Sequence, residues 1–169
     1  MFQGFVTLEE TIKPVLVTRN TSSVPLDADA LPTFRVYGPS GYLGVSGTTA
    51  FLDTGTITGA TNASPIVVTC AAHGLTTGAR ITISGVGGNT AANGTFIVTR
   101  VDANTFSLDG STGNGAYTSG GSWHVTGAYR ASIDATGANG FASGENYTVL
   151  YNWAISSSAR SEVDSFCVT

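Results

Sequence analysis

Cys70 and His73 stand three residues apart in the run CAAH, a spacing at which a thiolate and an imidazole can share a metal ion. A structural zinc site needs a full tetrahedral set of such ligands. The chain has two cysteines and two histidines, and the other pair, His124 and Cys167, stands far along the sequence. His73-Gly-Leu-Thr-Thr-Gly78 therefore reads as a turn in which the imidazole hydrogen-bonds local backbone. No metal or cofactor is expected.

Other groups with chemical capacity receive structural readings. Gly85-Val-Gly-Gly-Asn89 has the glycine density of a phosphate-cradling loop, yet no Lys-Ser/Thr follows it and no helix start stands behind it. In a β-chain such glycines supply positive φ for hairpins and bulges. Asp102 and Asp109 precede Ala-Asn and Gly and read as turn initiators. With Asp134, and with the pair Asp27 and Asp29, they lack the ladder of a calcium loop. Glycosidase chemistry requires two carboxylates across one cleft, which their spacing does not specify. Asp27-Ala-Asp29-Ala-Leu-Pro32 reads as a solvated acidic loop. Ser40 and Ser46 lack the nucleophile-elbow spacing, so no catalytic set is expected and the chain is read as non-enzymatic.

The elements that position these residues are strands. Ile66, Val68 and Cys70 alternate with Val67 and Thr69, Ile81 and Ile83 with Thr82, and Phe96 and Val98 with Ile97 and Thr99. Val15 and Val17, Phe34 and Val36, and Tyr129, Ala131 and Ile133 follow the same period. Glycine, Asn, Asp and Pro punctuate the runs at short spacing. The segment from Tyr147 to Ile155 is apolar on both faces, which fits a central sandwich strand covered on both sides or an interface strand. Helical periodicity is nearly absent, and the expected fold class is all-β.

Composition restricts partners. The net charge is −4, the pI is near 4.8, and seven Lys and Arg residues are scattered with no basic run. That argues against a nucleic-acid groove, which needs clustered cations. Charged residues make up 11% of the chain against 41% apolar, with eight Phe, six Tyr and two Trp to build cores. The opening MFQGFVTLEETIKP has neither a basic region nor a long apolar run, so it is not read as a signal peptide. No stretch approaches the ~20 apolar residues of a membrane span, and no membrane partner is expected. Cys70 and Cys167 are read as two buried thiols rather than a disulfide.

Residues 56–126 are rich in Thr, Gly and Asn, with Thr-Gly on both flanks. Removing them joins FLDTG, ending at Gly55, to AYRASIDAT, starting at Ala128, as a hairpin-like turn between two alternating strands. Insertions are tolerated where a host turn brings its ends together. The expected organisation is a host sandwich of residues 1–55 plus 127–169 carrying a small inserted β-barrel or sandwich at 56–126.

The run ASPIVVTCAAHGLTTGARITISGVGGNTAANGTFIVTRVDANTFSLDGSTGNGAYTSGGSW, Ala63 to Trp123, resembles a short β-module that recurs in phage and prophage structural proteins. That module is often labelled after the first catalytic cysteine half-domain of ubiquitin-activating enzymes, a label that comes from a shared fold and not from ubiquitin transfer. The host resembles Ig-like structural domains of tailed-phage virions through RNTSSVPLDADALPTFRVYGPSG (Arg19–Gly41) and GAYRASIDATGANGFASGENYTV (Gly127–Val149). Together these resemblances imply a tailed-phage virion structural protein: a capsid decoration or cement protein, or a head–tail or tail accessory protein. It would be made in the bacterial cytoplasm and carried on the particle surface. Its partners would be the major capsid protein or other virion proteins, and further copies of itself in a homo-oligomer. The expected contacts are Phe2, Phe5 and Leu8 in an N-terminal arm, and Tyr147, Tyr151 and Trp153 on one strand. The alternative is a host-attachment module of a tail or fibre that binds glycan through Trp123, Tyr117 or nearby loops.

Overall fold

The computed structural model describes residues 5–169. In chain order the strands begin with β1 (Phe5–Val6), β2 (Glu10–Ile12), β3 (Val15–Val17), β4 (Thr33–Gly38), β5 (Gly41–Thr48) and β6 (Ala50–Phe51). They continue with β7 (Thr54–Thr56), β8 (Gly59–Ala60), β9 (Ile66–Thr69), β10 (Arg80–Ser84), β11 (Gly94–Arg100), β12 (Thr105–Leu108) and β13 (Ser122–Val125). The last are β14 (Ala128–Arg130), β15 (Ile133–Ala135), β16 (Asn146–Ile155) and β17 (Ser158–Val168). Two short 3-10 turns, Thr90–Ala92 and Gly137–Asn139, are the only helical pieces among the described residues. The fold is all-β, and no helix among the described residues is long and apolar enough to cross a membrane.

The chain divides into two compact units, residues 1–52 with 127–169 and residues 53–126. Asp53, Thr54 and Gly55, placed in the first unit by the sequence pattern, belong to the second, where β7 pairs with β13. The ends that flank the second unit meet: β6 runs antiparallel to β14, with Tyr129 opposite Phe51, and the Leu52 N–H donates to the Ala128 carbonyl at 3.0 Å.

The first unit has a five-stranded sheet in the order β1-β17-β16-β4-β5, a three-stranded sheet β3-β14-β6, and the pair β15-β2. Period-two alternation decides which side chains enter the core. Phe34, Val36, Tyr147, Val149, Tyr151 and Phe166 from the large sheet share one buried cluster with Ile12, Leu16, Tyr129 and Ile133 from the small ones. The architecture is sandwich-like. β16 is central as expected, between β17 and β4. Its second face is not covered by the described residues, however: Leu150 and Ala154 are half-buried and Asn152 is exposed.

The second unit is a seven-stranded sheet ordered β7-β13-β10-β11-β12-β9-β8. Its two edge strands are consecutive in sequence, separated by Ile57 and Thr58. Ile57 N–H donates to Gly121 beside β13, and Thr58 N–H donates to Thr69 of β9. One short segment thus holds both edges, and the sheet closes into a small barrel. Closure removes the free edges that an open sheet presents to other chains. Trp123, Phe106, Ile66, Ile81, Ile83 and Leu108 fill the interior. Gly55 permits that filling, since a Cβ there would stand 2.5 Å from Trp123 Nε1 and 2.8 Å from Cys70 Sγ.

Candidate functional site

The Cys70–His73 corner follows β9. His73 is buried, its ring edge-on to Phe106 at 5.0 Å between centroids. The Leu75 N–H donates to Nδ1 at 3.0 Å, which requires that nitrogen to carry no proton. Nε2 then carries the hydrogen and donates to the Asp102 carbonyl at 3.0 Å. Both ring nitrogens are engaged by backbone: Leu75 within the turn, as the turn reading expects, and Asp102, 29 residues away, outside it. Trp123 Nε1 donates to Cys70 Sγ at 3.3 Å, so the thiol is a buried acceptor under an indole. Among the described residues no three of His, Cys, Asp and Glu gather as metal ligands. Both cysteines are free; Cys167 is half-buried, not buried as expected.

A cleft of about 320 Å³ lies beside this corner, lined by Asp53, Thr54, Ala72, His73, Gly74, Leu75 and Trp123. A general base needs a free lone pair, and the imidazole that faces this cleft has none to offer. Asp102 is a turn residue: its Oδ1 accepts from Asn104 N–H at 2.7 Å. That bond, followed by one from the Thr105 side chain, holds its carboxyl below the usual aspartate value.

Asp29 is exposed, as the solvated-loop reading expects, and Asp27 is half-buried, but both are also tied to distant backbone. Asp27 Oδ1 accepts from Gly127 N–H at 2.7 Å. Gly127 has φ of +69°, and a Cβ there would stand 2.7 Å from the Thr18 carbonyl. Asp29 accepts from Ser156 N–H at 2.9 Å and Ser157 N–H at 2.7 Å, tying the β16–β17 hairpin turn to the loop before β4. Both positive-φ serines of that turn are thereby held by one carboxylate. These two acids fasten the first unit across long sequence separations.

The expected contact residues separate. Phe2 lies outside the described residues. Phe5 is 83% exposed, while its neighbour Val6 is buried and Leu8 packs half-buried against the core. Leu8 is therefore not a free contact, because β1 is a strand of the sheet, parallel to β17, rather than a loose arm. Tyr147 and Tyr151 are core residues and cannot meet a partner; alternation placed them on the inward side of β16. Tyr147 Oη accepts from Ala142 N–H at 2.7 Å, and Tyr151 Oη has no partner among the described residues. Burial, with the negative charges of Asp164 and Glu162, raises the Tyr151 pKa well above the ordinary tyrosine value. The residues named for glycan binding are also engaged: Trp123 is buried, and Tyr117 Oη donates to backbone carbonyls.

Two surfaces of the first unit were not visible in the sequence. The outer face of the large sheet carries Phe5, then Val163 (51% exposed) beside Leu150 and Arg35 in register, and Tyr42 (50%) beside Tyr37. Tyr37 and Tyr42 have ring centroids 5.6 Å apart, and the Arg35 guanidinium sits 6.0 Å from the Tyr42 centroid. The second surface is a groove of about 480 Å³ lined by Val17, Arg19, Asn20, Trp153, Arg160, Ser161 and Glu162. Trp153, like Leu8, is half-buried against the core, and it lines this groove.

No protein-family model and no curated protein matches the chain.

Proposed function

We propose that the chain is a non-enzymatic structural protein of a tailed-phage particle, a capsid decoration protein or a head–tail or tail accessory protein. An Ig-like host unit docks on the shell and carries the inserted barrel with it. The observation that supports this reading is the outer face of the five-stranded sheet. Phe5, Val163 and Tyr42 lie there in the open, around the half-buried Leu150 and Tyr37. Their register places them on the side of the sheet opposite its core. An apolar surface of this kind, interleaved with polar Ser165, Thr148 and Arg35, suits contact with another protein. The docking surface is thus Phe5, Val163 and Tyr42 in place of the two buried tyrosines. Particle symmetry would repeat each contact, so individually modest contacts would hold many copies.

Phe5→Ser combined with Val163→Ser tests it. The variant should keep its β-type circular dichroism and cooperative melt, yet lose co-sedimentation with phage particles recovered from the culture that carries its gene. Undiminished co-sedimentation would remove this face from the proposal, and failure of the native chain to co-sediment would remove the virion reading itself. The second reading, host attachment through surface glycan, loses its barrel residues and rests on the groove at Trp153.

A further inference from the structure

The groove at Trp153 joins groups that no sequence window contains. Arg19 and Asn20 follow β3, whereas Arg160, Ser161 and Glu162 lie on β17 with Trp153 opposite Arg160 on β16. Both sides are held firmly. Arg19 forms an isolated bridge with Pro25, and its guanidinium donates to the Ser23 carbonyl at 2.9 Å. Asn20 Oδ1 accepts from Ser22 and Val24 N–H groups, which leaves its amide nitrogen as a free donor. The Arg160 guanidinium reaches the Arg19 carbonyl at 3.4 Å, closing one end.

The charges in this groove are unusual for the chain. Its net charge is −4, with seven Lys and Arg residues in all, yet two arginines share this groove. Among the described residues neither guanidinium sits in an ion pair. Trp153 Nε1 and Arg160 Nε are shielded from solvent and also unbonded. A half-exposed indole and Val17, 36% exposed, supply the apolar wall.

We propose that this groove binds an acidic saccharide, with a sugar ring against Trp153 and Val17 and a carboxylate received by Arg19 and Arg160. Planar guanidinium groups suit a carboxylate, and an aromatic face suits the C–H side of a pyranose. The discriminating residue is Glu162. A bare inorganic anion has no hydrogen to give a carboxylate and is repelled by it. Sugar hydroxyls can donate to Glu162 while accepting from Asn20 and Ser161. The volume matches one or two sugar units. The proposal gives the attachment reading a ligand class and does not depend on the virion reading.

The test uses the full chain and isothermal titration with a digalacturonic and a glucuronic-acid disaccharide. The neutral methyl ester of each, a Glu-rich peptide and sodium sulfate serve as comparison probes. The uronates should bind, and esterification should weaken binding about tenfold or more, since a charge-assisted hydrogen bond is lost. Quenching of tryptophan fluorescence should accompany binding in the native chain and vanish in Trp153→Phe, because Trp123 is buried elsewhere. Arg19→Gln and Arg160→Gln should each reduce uronate affinity about tenfold with the melting temperature near native. Amide shift changes confined to Asn20 and Ser161 and their neighbours would support the location. No uronate binding at millimolar concentration, equal binding of the neutral esters, tighter binding of the peptide or sulfate, or full affinity in the double arginine variant would each overturn the proposal. A chain that binds uronate but does not co-sediment with particles would leave this inference standing and remove the virion reading.

Discussion

The two units treat their polar groups in opposite ways. In the barrel, residues 53–126, His73 has both nitrogens bonded and Cys70 accepts from Trp123, and among the described residues Arg80 Nε is its one buried side-chain nitrogen or oxygen without a partner. In the sandwich-like unit, Tyr151 Oη, Trp153 Nε1 and Arg160 Nε are all buried without partners among the described residues. The barrel's sheet is closed on itself, whereas one sheet face of the other unit is left uncovered by the described residues. Its strand β17 is covered by β1 only at Cys167 and Val168 among the described residues. Asp164, which points inward from that strand and is buried, is the kind of charge that discourages a foreign strand from pairing there. The Cys70–His73 pair is spent on the barrel core, while three of the four buried unpartnered side-chain atoms among the described residues lie in the other unit. Reactive residue types in a sequence are therefore a weak guide to function when a small core has first claim on them.

The largest expected effect tests whether the barrel has its own core. Trp123 spans the barrel interior from Gly55 to Phe106, with ring centroids of Trp123 and Phe106 6.3 Å apart. Trp123→Ala should cost about 3–5 kcal/mol of barrel stability, the usual range for a buried large aromatic. Urea unfolding should then resolve two transitions, an early one for the barrel and a later one, followed by Trp153 fluorescence, for the other unit. A single transition shifted as a whole would show that the two units unfold as one cooperative block, and the contrast drawn above would lose its meaning.

Much of this was legible in the sequence, for physical reasons that also explain what was hidden. Period-two alternation marks strands directly, so Ile81 and Ile83 were readable as inward residues of one. The junction was legible because both flanks alternate, and Phe51 does lie opposite Tyr129. Alternation does not say which face of a strand meets the core when both are apolar. Tyr147 and Tyr151 were for that reason assigned to an interface, although the register puts them opposite Phe166 and Phe34 inside. The groove was hidden by distance along the chain. Arg19 and Arg160 are 141 residues apart, and scattered arginines were counted as dispersed charge until the sheet brought two together. Asp27 and Asp29 were hidden likewise, their partners standing 100 and 127 or 128 residues away.

A smaller effect sharpens the contrast within the first unit itself. Tyr129 and Tyr151 are both fully buried, but Tyr129 Oη accepts from Ala28 N–H at 2.8 Å while Tyr151 Oη has no partner among the described residues. Removing the two hydroxyls should act in opposite directions. Tyr129→Phe leaves the Ala28 N–H unmatched and should cost about 1–2 kcal/mol, whereas Tyr151→Phe removes a stranded polar atom and should be neutral or stabilise by up to about 1 kcal/mol. Thermal melts of the two variants give the comparison. A loss at Tyr151→Phe equal to that at Tyr129→Phe would mean that the Tyr151 hydroxyl is satisfied in solution, and the account of the first unit as under-satisfied would weaken.

The smallest expected effect belongs to the barrel and concerns acid. Asp102 is solvent-exposed, and its carboxyl is held below its usual value of 3.8, first by the Asn104 N–H, then by the Thr105 side chain. A depressed folded-state pKa means that the charged form is favoured by folding. The resulting stability is present above the unfolded value and is lost as pH falls through the folded one. Asp102→Asn keeps an acceptor for the turn and removes the titration. At neutral pH its melting temperature should lie slightly below that of the native chain, and the gap should narrow as pH drops from about 5 towards 3. The His73–Asp102 contact uses the Asp102 backbone carbonyl and not the carboxylate, so it should survive the change. A gap that stays constant across that range would show that the carboxylate contributes geometry alone. A gap that widens in acid would mean that the folded carboxyl is raised, against the sign its hydrogen bonds require.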